Sequence, residues 1–320
     1  MSVMINKRAV RVCLAPMAGF TDSAMRIISR EWGADLTFTE MVSAKAVRYG
    51  DKKTLTLSRI DEREGDCILQ LFGSEPDTLA YATEALLATA EVKPVGIDIN
   101  MGCPVNKIFQ NGEGSALMKN PSLIYDIVKS TRSATDLPLS VKMRLGVDDA
   151  HKNAVECALA AESAGADFIT VHGRTRAQMY SGESDLLGIA EVKSALHIPL
   201  IASGDVVDGE SALRILSRTG ADAIMVGRAA IGNPFVFAEI KSALDGNAKR
   251  EITLENKRES ALRQLSLAIE LKGEHTAVLE SRKQLALYFK GMKGASALRG
   301  ALNTATTYAE IKRLLSAIGE

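Results

Sequence analysis

The chain has 320 residues, 46% hydrophobic and 24% charged, a composition typical of globular proteins and unlike that of disordered or fibrous chains. Its 39 basic and 39 acidic side chains cancel, which argues against a protein that coats nucleic acid through net charge. No apolar run approaches the roughly 20 residues needed to cross a bilayer, and the first ten residues lack the apolar core of a signal peptide. We therefore expect a cytoplasmic protein with no membrane association.

Short apolar, β-branched runs recur through the first 230 residues, as in strands that are buried on both faces. Eight such runs occur, at 12–17, 36–41, 67–72, 96–101, 139–144, 168–173, 199–204 and 223–228. Helical patterns lie between them, and eight strand–helix units predict an α/β fold, a (β/α)8 TIM barrel. A doubly wound open sheet is the alternative. The absence of a Gly-rich dinucleotide fingerprint after the first strand favours the barrel.

The strand pattern stops near residue 250 and amphipathic helical sequence follows. We predict a catalytic barrel domain over residues 1–244 and a small helical domain over 245–320. The second segment carries thirteen Lys or Arg against nine Asp or Glu, so it is locally basic.

The cysteines show no C-x-x-C spacing, which indicates neither a disulfide framework nor a metal site. They are Cys13, Cys67, Cys103 and Cys157. Three lie in apolar strand runs or on an apolar helix face, where packing cysteines are found. Cys103 instead follows the fourth strand in a loop. A thiol there can give or take a proton, and Lys107 is close enough in sequence to influence its pKa.

In a TIM barrel the chemistry lies at the C-terminal ends of the strands. The candidate residues there are Pro16, Met17, Ala18, Gln70, Asn100, Cys103, Lys142, Arg144, His172, Arg174, Ser203, Gly204, Asp205, Gly227 and Arg228. Gly204, Gly227 and Arg228 follow strands seven and eight, the common phosphate site of the fold, and predict a phosphate cradle. The alternative is that these glycines only make tight turns.

Three polar residues within or ending apolar strands need partners. Lys142 is costly to bury unless it faces an anion, a Schiff-base substrate or a salt bridge from a neighbouring strand. His172 is either a core histidine or a functional group at a strand end. Gln70 would be unsatisfied without a polar partner, which an interior ligand could supply.

Nine motifs together resemble the tRNA-dihydrouridine synthases, and most closely their bacterial B-type branch. They run from about Leu14 to Pro234 in that family's order: APMAGFTD, TEMVSAKA, QLFGSEP, DINMGCPVNKI, GEGSALMKNP, VKMRLG, TVHGRTRAQMYSG, IASGDV and IMVGRAAIGNP. The resemblance implies an FMN enzyme that uses NADPH or NADH to reduce the C5–C6 double bond of specific uridines in tRNA. No protein partner is evident.

The same resemblance assigns roles to single residues. Cys103 matches the acid that protonates uracil C5 while flavin N5 delivers hydride to C6, so its pKa should be ordinary or raised. The residues that match flavin contacts are Pro16, Met17, Ala18, Gln70, Lys142, His172, Ser203, Gly204, Asp205, Gly227 and Arg228. Ser203 departs from the Asn of many relatives and Asn106 follows the cysteine motif, which puts the side-chain contacts at these two positions in doubt.

The predicted RNA contacts come from the helical tail and the barrel mouth. In the tail, Arg282 and Lys283 begin a basic stretch that continues to Arg299 without an acidic residue, with Tyr288 and Phe289 inside it. Such interleaving suits phosphate and stacking contacts, although the aromatic residues could equally pack against the barrel. At the mouth, the predicted tRNA contacts are Asn100, Lys107, Arg144 and Arg174, with the two arginines placed to contact the flipped nucleotide or its phosphate.

Three alternatives remain at this stage. A small-molecule flavin reductase of the dihydroorotate-dehydrogenase type would share the barrel and FMN but would not need a basic tail. A lyase or aldolase would use Lys142 as a Schiff base and would be colourless. A non-catalytic tRNA-binding protein would bind tRNA without turnover.

Overall fold

A parallel sheet curls into a barrel at the eight predicted strand positions. The computed structural model describes residues 2–319. In chain order the strands are β1 (Val3–Ile5), β2 (Arg8–Val10), β3 (Val12–Leu14), β4 (Thr37–Phe38), β5 (Val42–Ser43), β6 (Cys67–Phe72), β7 (Gly96–Met101), β8 (Leu139–Arg144), β9 (Phe168–His172), β10 (Leu200–Ser203) and β11 (Ala223–Val226). Parallel pairing runs from β4 through β6 to β11 and β3, and a bridge between Cys13 and Leu36 closes the ring. The TIM-barrel prediction is confirmed.

Helices cover the outside of the barrel and make up the tail. They are α1 (Ser23–Glu31), α2 (Ala44–Arg48), α3 (Lys52–Leu57), α4 (Pro76–Thr89), α5 (Asn106–Gln110), α6 (Pro121–Ser133), α7 (Ala154–Ser163), α8 (Leu186–Ala195), α9 (Gly209–Thr219), α10 (Phe235–Leu244), α11 (Leu254–Lys272), α12 (Glu274–Leu287), α13 (Ala295–Thr304) and α14 (Tyr308–Ser316). Their ends follow ordinary capping rules: Asp208 accepts from the Ser211 N–H to start α9, and Gly220 ends it at φ +67°. No helix within 2–319 has the length and apolar character needed to cross a membrane.

The N-terminal hairpin β1–β2 is an element that the sequence pattern did not predict. Val3, Ile5 and Val10 are buried and pack in one cluster with inward-facing residues such as Phe168 and Met225. The hairpin thus covers the apolar end of the barrel interior. Because strand side chains alternate, the same inward-facing rows become polar toward the opposite end, where the strands finish.

The tail helices pack on α1 through a second apolar core. Trp32 stacks edge-on against Phe235 with ring centroids 4.5 Å apart, and Phe235 does the same with Tyr288 at 6.1 Å. The pair Lys272–Asp22, at 2.7 Å, and the Trp32 indole N–H, which donates to Ser260, add polar links between tail and barrel. The tail is therefore anchored beside the loop that follows β3.

Candidate active site

Polar side chains line the C-terminal half of the barrel interior in cross-strand rows. Strand register aligns Gln70 with Asp98 and Ser140, Asn100 with Lys142 and Thr170, and Arg144 with His172 and Ser203. Residues aligned across parallel strands point to one face of the sheet, so these groups share the interior. The structure therefore brings together the candidates expected from strands three to seven.

The loop carrying Cys103 is held from two sides. The Asn100 side-chain oxygen accepts from the backbone N–H groups of Gly102, at 3.1 Å, and Cys103, at 2.9 Å. The Ser115 hydroxyl and N–H donate to the Cys103 carbonyl at 2.8 and 3.2 Å. Gly114 has φ +59°, and a Cβ there would lie 3.0 Å from the Cys103 Cβ. These contacts fix the backbone that carries the thiol.

Burial raises the pKa of the Cys103 thiol above its usual range, against the opposing effects of the Val105 N–H and the cations Arg144 and Lys142. The direction agrees with the expectation of a neutral thiol. Lys107, however, is exposed on α5 and is not among the groups that act on this pKa. The expected influence of Lys107 was therefore wrong: closeness in sequence does not bring the ammonium close to the sulfur.

Four cations surround a neutral histidine at the mouth. Burial, and then Lys142, Arg144, Arg174 and Arg228, lower the pKa of His172 to about 2. Burial, followed by the charge of Arg144, lowers the pKa of Lys142 to about 8, and its ammonium makes no ion pair or hydrogen bond with any of residues 2–319. A salt bridge to a neighbouring strand is thus not what accounts for this lysine. Arg174 pairs with Asp205, but Lys142, Arg144 and Arg228 make no ion pair within residues 2–319, and this positive charge suits an anionic ligand.

The glycines in the loops after β10 and β11 differ in the space around them for an added side chain. Gly204 has φ +108°, and a Cβ there would lie 2.6 Å from the Ser184 hydroxyl oxygen and 2.8 Å from the His172 ring, so only glycine fits. A Cβ on Gly227 would meet nothing closer than 3.9 Å. The Ser184 oxygen is buried and has no hydrogen-bond partner in the described part of the chain. An open backbone approach and an unsatisfied hydroxyl border the same mouth.

Arg174 lies inside the protein and is 2% exposed. Its guanidinium donates to the carbonyls of Ser181 and Gly182, at 3.1 and 2.6 Å, and pairs with Asp205 at 2.8 Å. Asp205 also accepts from the Ser184 N–H at 2.8 Å. This arrangement fastens the 181–184 segment to the loop after β10. It also leaves Arg174 buried, whereas the sequence predicted a direct contact between Arg174 and the RNA.

Arg144 links two mouth loops. Its Nε donates to the Gly102 carbonyl at 2.8 Å, and its Nη1 donates to the carbonyls of Thr175 and Met179, both at 2.9 Å. Its guanidinium also lies 5.8 Å from the centre of the Tyr180 ring, and that of Arg228 lies 4.6 Å from the same ring. Arg144 is 3% exposed and joins the cysteine loop to the loop after β9.

The loop after β3 presents its backbone to the same mouth. The Thr21 hydroxyl accepts from the Met17 N–H at 2.9 Å, and the Thr21 N–H donates to the Met17 carbonyl at 3.0 Å. This turn leaves Pro16 and Met17 partly exposed and Ala18 exposed. The three residues line one side of the opening.

Gln70 finds its polar partners within the protein. Its amide donates to Asp98 at 2.7 Å, and its oxygen accepts from the Asn100 amide at 3.0 Å. Asp98 was missed by the sequence reasoning, although a carboxylate two residues before Asn100 in an apolar strand was a visible signal. Ser115 and Ser184 carried no such signal, because their contacts depend on tertiary structure.

The tail residues fall into two groups. Arg282 donates through Nε to the Ala305 carbonyl at 2.8 Å, which caps α13, while Lys283 is exposed. Tyr288 and Phe289 are buried in the tail core, and the Tyr288 hydroxyl donates to Gln264 at 2.6 Å. Of the two interpretations of these aromatic residues, packing is the one the structure supports.

Fold and site together define a TIM barrel with a partly buried thiol and a cationic mouth. The family model described as "Dihydrouridine synthase (Dus)" matches residues 13–319. A probable tRNA-dihydrouridine synthase 1 from Synechocystis sp. is 41% identical over 308 residues, covering 95% of this chain and 85% of that protein. A tRNA-dihydrouridine synthase B from Pasteurella multocida is 36% identical over 298 residues, covering 92% and 89%.

Among solved structures, a 2-naphthoyl-CoA reductase complex aligns with a TM-score of 0.56 at 13% identity, over 77% of this chain and 52% of that one. At this identity the likeness concerns the fold alone. The match over nearly the whole chain and the identity to the curated relatives are decisive: the chain belongs to the tRNA-dihydrouridine synthase family. The resemblance drawn from the nine motifs is thereby confirmed.

Proposed function

We propose that this protein reduces the C5–C6 double bond of specific uridines in tRNA to 5,6-dihydrouridine, with FMN as hydride donor, NADPH or NADH as reductant and Cys103 as general acid. The observation that carries the proposal is the neutral thiol of Cys103 at the mouth of a barrel where several cations gather, in a chain of this family. A cytoplasmic location, where tRNA and nicotinamide dinucleotides occur, goes with it.

The residues present fit FMN. The open backbone at Gly227, the exposed guanidinium of Arg228 and the unsatisfied hydroxyl of Ser184 suit a phosphate or ribityl group. The unpaired ammonium of Lys142 suits the negative charge of a reduced isoalloxazine, which Pro16–Ala18 would border. Bound FMN would supply a hydride from N5, and the nicotinamide would restore it.

The chain's own residues supply the proton and the surroundings. Cys103 would hold a proton on its sulfur, because burial keeps the thiol neutral, and would release it to uracil C5 as charge develops on the ring. Burial and the surrounding cations favour a neutral His172, which supports Cys103 rather than an imidazolium as the proton donor. Asn100 would set the position of the thiol through the backbone of its loop.

The tail supports an RNA substrate through exposed cations. Lys283, Lys290, Lys293 and Arg299 are exposed and make no ion pair with other residues in the 2–319 range. Cations without protein partners are free to neutralise phosphates. We include Lys283 and the mouth residue Lys107 among the proposed tRNA contacts. For Arg144, Arg174 and Arg282 we propose support of the surface from beneath, since their donors bind protein carbonyls.

The test compares wild type with Cys103→Ala and, as a matched control, Cys157→Ala, which removes a buried thiol from α7. The purified proteins are examined for a flavin absorption spectrum, reduced with NADPH without oxygen, and followed as unmodified tRNA is added. We expect both wild type and the Cys157→Ala control to be yellow, and tRNA to reoxidise the reduced flavin in both. The Cys103→Ala protein should take up FMN but be reoxidised by tRNA about 10²- to 10⁴-fold more slowly.

Two results would contradict the proposal. A protein that takes up no FMN would point to a lyase using Lys142. A flavoprotein whose reoxidation is indifferent to tRNA would instead point to a small-molecule reductase.

A further inference from the structure

A buried chain of hydrogen bonds runs from the barrel interior to the backbone of the cysteine loop. The Ser140 hydroxyl donates to one Asp98 oxygen at 2.5 Å, and the Gln70 amide nitrogen donates to the other at 2.7 Å. The Gln70 oxygen accepts from the Asn100 amide at 3.0 Å. The Asn100 oxygen then accepts from the Cys103 N–H at 2.9 Å. Each joint is within ordinary hydrogen-bond length.

This chain has a direction. An amide side chain has a donor end and an acceptor end, so fixing one end of Gln70 fixes the other. An Asp98 oxygen accepts a hydrogen bond from the Gln70 NH₂ group, which turns the Gln70 oxygen toward Asn100. The Gln70 oxygen accepts from the Asn100 NH₂ group, so the Asn100 oxygen is left to accept from the two N–H groups of the loop. A donor at the position of the Asp98 oxygen would favour the reverse order and confront Cys103 with an NH₂ group.

Asp98 has no access to a ligand and can influence the site only through the residues it hydrogen-bonds. It is 0% exposed and its two oxygens are taken by Ser140 and Gln70. Burial raises the pKa of Asp98 to about 7, while these two hydrogen bonds and the charge of Lys142 act in the opposite direction. Such a carboxyl group is expensive to bury and needs a compensating role.

We propose that Asp98 is a positioning residue: its inward-facing oxygen sets the orientation of the Gln70 and Asn100 amides and thereby holds the Cys103 loop in place for proton transfer. What the position requires is a hydrogen-bond acceptor toward Gln70. A charge is not required, because the Ser140 hydroxyl can donate or accept, so an amide at residue 98 could keep its oxygen toward Gln70. The link to turnover rests on the proposed function, whereas the geometry of Cys103 does not.

The test uses three variants. The Val and Thr side chains of the first two variants, Asp98→Val and Asp98→Thr, have nearly the same shape, and both suit a strand. They differ in that the Thr hydroxyl can accept a hydrogen bond from Gln70. Asp98→Asn keeps an acceptor without the charge. The first readout is the alkylation of Cys103 by iodoacetamide against pH, resolved by peptide mass spectrometry and measured without tRNA. The second is tRNA-dependent reoxidation of the NADPH-reduced protein.

We expect Asp98→Val to free the loop, lower the pKa of the thiol and speed its alkylation at pH 8 about tenfold. Turnover should fall about 10²-fold, the loss expected from a misplaced catalytic group. Asp98→Asn should stay within a few-fold of wild type, and Asp98→Thr should fall between Val and Asn. Adding Asn100→Ala to the Val variant should cost nothing further, because both cut one chain.

An Asn variant as impaired as Val would overturn the inference in favour of charge, and full additivity with Asn100→Ala would overturn it in favour of independent roles. An unchanged alkylation profile in the Val variant would also overturn it. If Asp98→Val fails to fold, Gln70→Leu, which cuts the same chain one joint later, carries the alkylation test. Absence of tRNA-dependent turnover in wild type would instead count against the proposed function alone.

Discussion

At the scale of single residues, the site combines groups that burial pushes away from their ordinary ionisation. Cys103 keeps its proton, His172 loses its proton, and Lys142 has its pKa lowered to about 8. These shifts share one cause, the loss of water in the barrel interior, and the cations add to the shift of the histidine. A region of this kind stores unfavourable free energy that an anionic ligand can release.

Lys142 gives the first prediction, at this scale. Its pKa is about 8 in the folded chain and 10.5 when unperturbed, so between these values the unfolded chain binds more protons and stability rises with pH. In flavin-free protein, Lys142→Met should raise the free energy of unfolding by on the order of 2–3 kcal/mol at pH 7. The gain should shrink as pH rises from 8 toward 10.5. Denaturant titrations at pH 7 and pH 10 check this.

The same substitution should weaken FMN binding and lower the flavin reduction potential, because the anionic reduced form loses its cation. Lys152 offers a control, since it is a lysine of a mouth loop that already pairs with Asp185 at 3.2 Å. Lys152→Met should change neither property. The prediction would be contradicted if Lys142→Met were less stable than wild type at pH 7. It would also be contradicted if the difference in stability between variant and wild type were the same at pH 7 and pH 10.

At the scale of the elements, the two glycine loops make separable contributions. Gly204 needs a left-handed backbone and has no room for a Cβ, while Gly227 has room. Gly204→Ala should therefore cost about 1–3 kcal/mol of stability even without cofactor. Gly227→Ala should leave the flavin-free stability within about 0.5 kcal/mol of wild type but weaken FMN binding, if its open backbone approaches the phosphate. Thermal unfolding and FMN titration separate the two.

The two variants also test each other. Equal loss of flavin-free stability in both would mean that an alanine side chain does not fit at residue 227. Undiminished FMN affinity in the Gly227 variant would count against a phosphate cradle after β11 and favour the alternative of a plain turn.

The elements themselves were largely predictable from sequence. Strands buried on both faces read as continuous apolar runs, and all eight run positions contain a barrel strand. The second run, 36–41, contains only the short β4, and β5 follows just after it; between them the Thr39 hydroxyl accepts from the Gln70 N–H. The hairpin β1–β2 was missed, since three-residue strands carry too little pattern to stand out.

The site was predictable in membership but not in connectivity. Strand-end residues can be named from sequence because the barrel brings all strand ends to one mouth. Their hydrogen bonds cannot. Arg174 finds its acceptors in residues 181–182 and in Asp205, and only tertiary structure shows that these use up its donors. Asp98 is visible in the sequence as a carboxylate in an apolar strand, but only the structure shows that it binds Gln70 and, through it, Asn100.

At the scale of the whole molecule, the tail and barrel form one continuous packed body through the apolar core around Phe235 and Tyr288. The polar group Gln264, Gln284 and Tyr288 inside this core is mutually hydrogen-bonded, at 2.9 and 2.6 Å. A tail fixed in this way can hold an RNA at a set angle to the mouth. On the proposed function, the exposed cations of the tail would set the affinity for tRNA and the barrel would carry the chemistry.

The tail therefore gives the last prediction. Lys283→Ala with Lys290→Ala should weaken tRNA binding and reduce the slope of log affinity against log salt by about 1 for each phosphate that is no longer neutralised. Lys129→Ala, an exposed lysine of α6 on the outside of the barrel, is the control and should change neither. Because the tail cations lie away from the reacting atoms, the loss should fall on KM and leave kcat near that of wild type. Filter binding of tRNA over a salt series, together with turnover at saturating tRNA, measures both; an unchanged salt slope in the double variant would move the RNA to another face of the molecule.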